Sequence, residues 1–353
     1  MNILIIKPSS LGDIIQANPT IVALKRAFPS SRISWLVFDR WAEIISLFTD
    51  VDECVIWRRD GGVKEYTRVI REVRRKKFDV VIDLQGLLRS AMIARLSGAK
   101  TMIGVPGMKE GSWLLIKEAA PAWRSFNAVW RSLETVRHVH VPGEPSVHDD
   151  VADVDMHDLR KIFHLSVPGA AREEVSRLLR KHKVGKHDAI IAIVPTARGK
   201  GKQWSVRSYN HFIEMIRKKH PLIKIVLLDT VPSTLTYVQS DNIIDFGGKL
   251  TLHQLAAVLS LCKVAVGADT GPMHLAAALG TPVVMMFGGS DSTETAPVSP
   301  VATILKKEFS CAPCRGKTGC VKKVKDKNAG EKYPCLEAIS PGEVFKAVEK
   351  WIQ

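Results

Sequence analysis

The sequence predicts an α/β protein of two Rossmann-like domains facing across a cleft, and three observations predict it. Its 353 residues exceed what one hydrophobic core usually supports. Short apolar runs alternate with helical patterns from the first residues onward, the order that produces a parallel sheet covered on both faces. After the proline- and acid-containing stretch Pro142–Asp153, expected as a surface loop, the same alternation begins again. The two halves are therefore expected as 1–175 and 176–353.

In the first half, Ile3–Ile6 reads as a buried strand, Ile14–Phe28 as a helix, Ile33–Phe38 as a strand, Trp41–Leu47 as a helix and Glu53–Trp57 as a strand. The charged stretch Lys64–Lys77 reads as a helix, Val80–Leu84 as a further strand, Leu88–Leu96 as a helix and Thr101–Val105 as a strand. Pro106–Val139 is mildly amphipathic and irregular, with Trp113, Trp123 and Trp130 suited to packing, and Glu173–His182 is an amphipathic helix. The second half repeats the theme: strands at Ala189–Val194, Lys224–Leu228, Val264–Gly267 and Val283–Phe287, with helices at Tyr209–Lys218, Thr251–Leu261 and Met273–Leu279 between them. In such sheets ligands bind beyond the carboxyl ends of the strands, so functional residues are expected on those loops.

Composition narrows the function. With 46% hydrophobic and 25% charged residues, the chain has the makeup of a globular protein. Lys and Arg exceed Asp and Glu by 51 to 36, a net charge of +15 that favours anionic partners. The basic stretches carry no RNA-recognition signature and no interleaved aromatics, so no nucleic acid partner is expected. Met1–Ile6 runs straight into Lys7-Pro8 and reads as a strand rather than a signal peptide, and no window approaches ~20 uninterrupted apolar residues. A cytoplasmic protein is expected, with attachment to an anionic leaflet left open.

Three segments carry chemistry. In Val264–Val283 a strand meets a polar turn, a helix, a glycine and another strand. Asp269 or Thr270 can cap the helix, Gly271 admits a close ligand, Pro272 suits the first turn, and the exposed N–H groups with the helix dipole suit a pyrophosphate. The alternative is a well-capped structural helix. In Ala189–Trp204 a strand runs into a glycine-containing loop where Arg198 and Lys202 can reach phosphate oxygens, although the spacing is not that of a Walker loop and such cations are often merely solvated. In Lys7–Ile15 the dinucleotide fingerprint Gly-x-Gly-x-x-Gly is missing, which argues against a dehydrogenase. Asp13 there either caps a helix or serves as a general base.

Ser9-Ser10-Leu11-Gly12-Asp13, Val81-Ile82-Asp83-Leu84-Gln85-Gly86, Lys202-Gln203-Trp204 and Asp269-Thr270-Gly271-Pro272-Met273-His274, with Gly288 after the next strand, resemble glycosyltransferase family 9, the ADP-heptose:lipopolysaccharide heptosyltransferases. The resemblance implies the GT-B fold, with no metal and no cofactor. It implies inverting transfer of heptose from ADP-heptose to the Kdo/heptose inner core of lipopolysaccharide, on a Kdo-lipid A type acceptor at the inner membrane surface. Asp13 would deprotonate the acceptor and Lys202 would stabilise the departing ADP. Thr196, Ala197, Lys202, Asp269, Thr270, Gly271 and His274 would hold the donor, and Ser10, Gly12, Arg58, Arg59, Lys64 and Arg131 the acceptor. The four basic acceptor candidates read equally well as an exposed cationic face. Asp83-x-Gln85-Gly86-Leu87 leans the resemblance toward heptosyltransferase I. The rival readings are a transferase of another nucleotide sugar and a non-catalytic sugar-nucleotide-binding module.

Two features depart from the pattern. Lys224–Leu228 ends in Asp229-Thr230-Val231-Pro232 instead of a glycine-rich turn with a downstream donor-contacting glutamate, and Ala197 stands where a second hydroxyl residue is common. Cys311, Cys314, Cys320 and Cys335 could bind zinc, stay reduced or form a disulfide, whereas Cys54 and Cys262 are expected in the core.

Overall fold

A computed structural model describes residues 1–121, 127–141, 162–197, 202–231, 235, 240–315 and 333–352. The chain forms two compact units, Met1–Ser166 and Val167–Gln353. The helix cut by the expected 175/176 boundary thus lies whole within the second unit. Pro142–Asp153 and Trp123 lie outside the described residues.

The first unit holds strands β1 (Asn2–Ile6), β2 (Arg32–Phe38), β3 (Glu53–Trp57), β4 (Val80–Asp83), β5 (Thr101–Gly104) and β6 (Lys117–Glu118), in the order β3-β2-β1-β4-β5-β6 and all parallel. Its helices are α1 (Leu11–Gln16), α2 (Pro19–Ala27), α3 (Ala42–Ile45), α4 (Gly62–Arg75), α5 (Leu88–Leu96) and α6 (Ala128–Arg137). The central strand is apolar throughout because helices cover both faces of a parallel sheet, and Ile3, Leu4, Ile5 and Ile6 are fully buried. Ile14–Phe28 is two helices rather than one. Pro19 lacks the N–H that would continue the first helix and instead begins the second.

The second unit holds β7 (Ile190–Val194), β8 (Lys224–Leu227), β9 (Ile243–Asp245), β10 (Val264–Ala268), β11 (Val283–Phe287) and β12 (Ala302–Lys306), in the order β12-β11-β10-β7-β8-β9, again all parallel. Its helices are α7 (Gly169–Lys181), α8 (Val206–Lys219), α9 (Leu252–Leu261), α10 (Gly271–Ala278), α11 (Ser292–Thr295), α12 (Pro334–Glu337) and α13 (Pro341–Ile352). Ile191, Ile193, Val264, Val266, Phe212, Leu336 and Val348 belong to one core that joins the sheet to α8, α12 and α13. This is the paired Rossmann-like architecture of the GT-B type. In each sheet the winding direction reverses beside the first strand of the unit, between β1 and β4 and between β7 and β10, and these reversals open crevices at the strands' carboxyl ends.

Candidate active site

The crevice of the second unit gathers one ionic cluster. β7 delivers the loop with Thr196 and Lys202, and β10 delivers Asp269 and α10. Lys202 Nζ donates to Asp269 Oδ2 at 2.5 Å, and His274 Nε2, one turn inside α10, lies 3.0 Å from Asp269 Oδ1. Thr295 Oγ1 approaches Oδ2 at 3.3 Å. The side chains of Asp269 and His274 are each only 5% exposed, that of Lys202 30%. Burial alone would push the Asp269 carboxyl up, but the His274 hydrogen bond and charge, with Lys202, outweigh it and hold the group ionised far below the usual carboxylate range.

Neither expected cap is used as one. Thr270 occupies the N-cap position with extended backbone but makes no side-chain capping bond, and its buried Oγ1 has no partner among the described residues. Asp269 spends its oxygens on Lys202 and His274. The first turn of α10 therefore has no side-chain acceptor of its own, and Pro272 contributes no donor there. What remains is a helix N-terminus beside a cation, a combination suited to a diphosphate.

The loop bearing Lys202 is held from below. Trp204 is 3% exposed, donates from Nε1 to the Ile339 carbonyl at 3.1 Å and meets the Tyr209 ring edge-on at 4.9 Å. Gln203 Nε2 donates to the Ala197 carbonyl at 3.1 Å, tying the two ends of the loop together. Ala197 thus contributes its backbone to this loop. Arg198 lies outside the described residues. Thr196 donates its hydroxyl to Asp229 Oδ1 at 2.5 Å, a contact that the sequence reading missed because the end of β8 carried no recognisable motif.

The crevice of the first unit holds Asp13. The half-buried Asp13 accepts from the Ser10 amide at 3.0 Å and from the Ser10 hydroxyl through Oδ2, the N3 half of a capping box opening α1. Capping and a position at the crevice mouth coincide in this residue. Ser10 is exposed and Gly12 half-buried. Beneath them Lys7 Nζ donates to the Leu84 carbonyl at 2.9 Å; burial lowers its pKa, against the opposing charge of Asp13. Fully buried Asp83 folds the β4 turn over itself: Oδ1 accepts from the Gln85 and Gly86 amides at 2.9 and 3.1 Å, and Oδ2 from the Ser90 hydroxyl at 2.8 Å. Burial pushes its carboxyl up to about 6, the hydrogen bonds from Gly86 and Ser90 opposing.

Arg58 and Arg59 follow β3, and Lys64 lies in the first turn of α4; all three are exposed. Arg59 lies 5.9 Å from the centre of the Phe38 ring, beside Arg89, which lies 5.6 Å from that ring and 5.7 Å from Trp57. Half-buried Arg131, on α6, acts on Lys7 as a like charge. Arg89 and Lys7 were not anticipated, although their positions near the carboxyl ends of strands are a signal that could have found them.

Cys311 and Cys335 are free thiols, and Cys320 lies outside the described residues. Among the described residues no group of three or more His, Cys, Asp or Glu side chains is placed to hold a metal ion. Cys262 is in the core, as expected, but Cys54 is only half-buried, because it sits on β3 at the edge of its sheet. No helix among the described residues is long and apolar enough to cross a membrane.

The chain is 27% identical over 338 residues to lipopolysaccharide heptosyltransferase 1 of Pseudomonas aeruginosa, covering 90% of this chain and 87% of that protein. It is 23% identical over 296 residues to lipopolysaccharide heptosyltransferase 3 of Escherichia coli, covering 79% and 81%. Among solved structures it resembles a family 9 glycosyl transferase of Veillonella parvula with a TM-score of 0.79 at 20% identity, over 99% of this chain and 97% of that one. The E. coli ADP-heptose LPS heptosyltransferase II aligns with a TM-score of 0.74 at 17% identity, over 100% and 98%. The sequence model described as glycosyltransferase family 9 (heptosyltransferase) matches residues 66–325. The chain belongs to glycosyltransferase family 9 and is a glycosyltransferase.

Proposed function

We propose that this enzyme transfers heptose, with inversion at the anomeric carbon, from ADP-heptose to the Kdo/heptose inner core of lipopolysaccharide, without a metal ion. The observation that carries the reading is the Lys202–Asp269–His274 cluster at the uncapped start of α10. Asp269 holds the ammonium of Lys202 at a helix N-terminus, and the two positive ends together can take the charge that develops on a departing diphosphate. That is the task a divalent ion performs in other sites of this class. The similarity to lipopolysaccharide heptosyltransferases 1 and 3, and to an E. coli heptosyltransferase solved with ADP-2-deoxy-2-fluoro heptose, supports the choice of donor and acceptor.

In this reading Thr196, Ala197, Lys202, Asp269, Thr270, Gly271 and His274 hold the donor. Asp13 takes the proton of the acceptor hydroxyl as its oxygen bonds to the anomeric carbon and the bond to ADP breaks. Ser10 and Gly12 place the acceptor, while Arg58, Arg59, Lys64 and Arg131 meet its phosphates and the headgroups of an anionic membrane face, where the protein binds peripherally on the cytoplasmic side.

The test is release of ADP from ADP-heptose with a heptose-deficient Kdo-lipid A acceptor in EDTA, for wild type and Asp13→Ala. Acceptor-dependent release by the wild type, lowered about 100-fold or more in the variant with donor affinity nearly intact, is expected. No release by the wild type refutes the reaction, and equal weakening of turnover and donor affinity reduces Asp13 to a helix cap.

A further inference from the structure

Helix α5 is apolar on its exposed side as well as its buried one. Ser90, Ala91, Ile93 and Ala94 are buried, as the inner face of a surface helix should be. Leu88, Met92 and Leu96, spaced four apart and so in line along the helix, are exposed where polar residues belong. Beside the start of α5, the 3-10 turn Ser112–Leu114 buries Ser112 and turns Trp113 and Leu114 outward, 52% and 82% exposed. Val63, in the first turn of α4, is 79% exposed. A contiguous apolar surface of this kind marks an interaction site.

Hydrogen bonds stitch these segments into one surface at the carboxyl edge of the first sheet. The Tyr66 hydroxyl donates to the Arg89 carbonyl at 2.7 Å, joining α4 to α5. The Lys109 amide and the Ser112 hydroxyl donate to the Gly86 carbonyl at 2.8 and 3.1 Å, and Glu110 Oε2 accepts from the Leu88 amide at 3.2 Å, joining the turn to α5. Exposed Arg58, Arg59, Lys64, Arg89 and Lys109 lie in the same segments, against Asp60 and Glu110. Apolar tips set among cations do not suit a second copy of this chain, because a two-fold contact would bring the same cations face to face. They complement an anionic lipid surface: leucine and tryptophan side chains enter the boundary below the headgroups, and arginine and lysine stay at the phosphates.

We propose that the face formed by α5, the turn Ser112–Leu114 and the start of α4 docks the protein on an anionic phospholipid bilayer, with Trp113 and Leu114 inserted below the headgroups. Leu88 and Val63 flank them, and the cations of the same segments hold the headgroups. The choice of a bilayer over another partner rests on the lipid-linked acceptor proposed above. The turn that carries Asp13 follows β1 at the same carboxyl edge, so docking by this face brings the crevice of the first unit toward the plane where the sugars of a lipid emerge.

The experiment is co-sedimentation of the intact protein with phosphatidylcholine vesicles, with and without phosphatidylglycerol, for wild type and Trp113→Ser/Leu114→Ser. The wild type should partition onto the phosphatidylglycerol vesicles and the variant about 10-fold or more weakly, because two apolar side chains no longer leave water. Binding to phosphatidylcholine alone should be weaker for both. Both side chains are exposed, so the variant should keep the wild-type melting temperature and ADP affinity. A wild type that ignores phosphatidylglycerol vesicles overturns the proposal. So does equal binding by wild type and variant, which would leave a purely electrostatic attachment, and so does a variant that melts lower, which would make the face part of the fold. A wild type that dimerises in light scattering and stays off vesicles, with a monomeric variant, overturns it and assigns the face to a second copy. The vesicles hold neither sugar nucleotide nor acceptor, so failure of ADP release with vesicle binding intact would refute the heptose reaction and leave the docking face standing.

Discussion

Lys202→Ala removes the cation from a carboxylate that is 95% out of contact with water, and its effect on stability and on binding can be worked out separately. Exposed ion pairs contribute about 0–1 kcal/mol, while stripping the partner from a fully buried charge costs about 3–5 kcal/mol. Here Lys202 is 30% exposed and His274 still faces Asp269, so a loss of about 2 kcal/mol is expected, lowering the melting temperature of this unit by about 4–8 °C. In binding, the variant loses a charge-assisted contact of about 1.5–3 kcal/mol to the diphosphate, so ADP should bind about 10- to 150-fold more weakly. The loss should exceed that of a bare contact, because Asp269 then faces the phosphates unscreened. Lys202→Ala/Asp269→Asn should accordingly recover part of the affinity in a double-mutant cycle. Titration with ADP and with adenosine, together with scanning calorimetry, measures both effects. Equal weakening of adenosine and ADP, or unchanged ADP affinity, would refute a phosphate role for Lys202.

Three further outcomes are expected. Gly86 has φ +66°, and a Cβ there would lie 2.9 Å from Val105 Cγ1, so Gly86→Ala should destabilise the first unit by about 2 kcal/mol or more in urea unfolding. The Asp83 carboxyl is raised from 3.8 to about 6, so the fold favours its protonated form. That contribution is present below pH 4 and lost as pH rises through 6, up to about 3 kcal/mol, and Asp83→Asn, which can keep the turn's bonds, should abolish this part of the pH dependence. Trp204→Phe removes the Nε1 bond to Ile339 and part of a buried ring system, and should cost about 2 kcal/mol or more in stability while weakening ADP more than adenosine.

The central strands were legible because a parallel sheet buried on both faces writes itself as unbroken apolar runs: Ile3–Ile6, Val80–Ile82, Ile190–Val194 and Val264–Val266. The edges were not. β6 has two residues, β9 three, and β12 is only partly buried, too short or too wet to leave a pattern. The α10 motif and its histidine were readable because helix-start chemistry is local. The contacts across the sequence were not: the Lys202–Asp269 pair spans 67 residues and the Thr196–Asp229 pair 33, and no local spacing encodes them. Asp269 as a cap was the reasonable local inference, and the non-local lysine displaced it.

Trp204 and Glu337 place the carboxyl-terminal helices under the proposed donor site. Glu337 on α12 accepts from the Ser205 amide and hydroxyl, both at 2.9 Å, and from the Ser208 hydroxyl at 3.1 Å, while Ile339 receives the indole N–H. The segment that carries Lys202 is thus moored to residues that meet no ligand in the proposed reaction. The carboxyl-terminal stretch acts as a keel for the loop above it. Truncations, fusions or tags that disturb α12 or α13 will therefore register first as a fault in nucleotide binding, and a screen that scores only active-site contacts would misplace their cause.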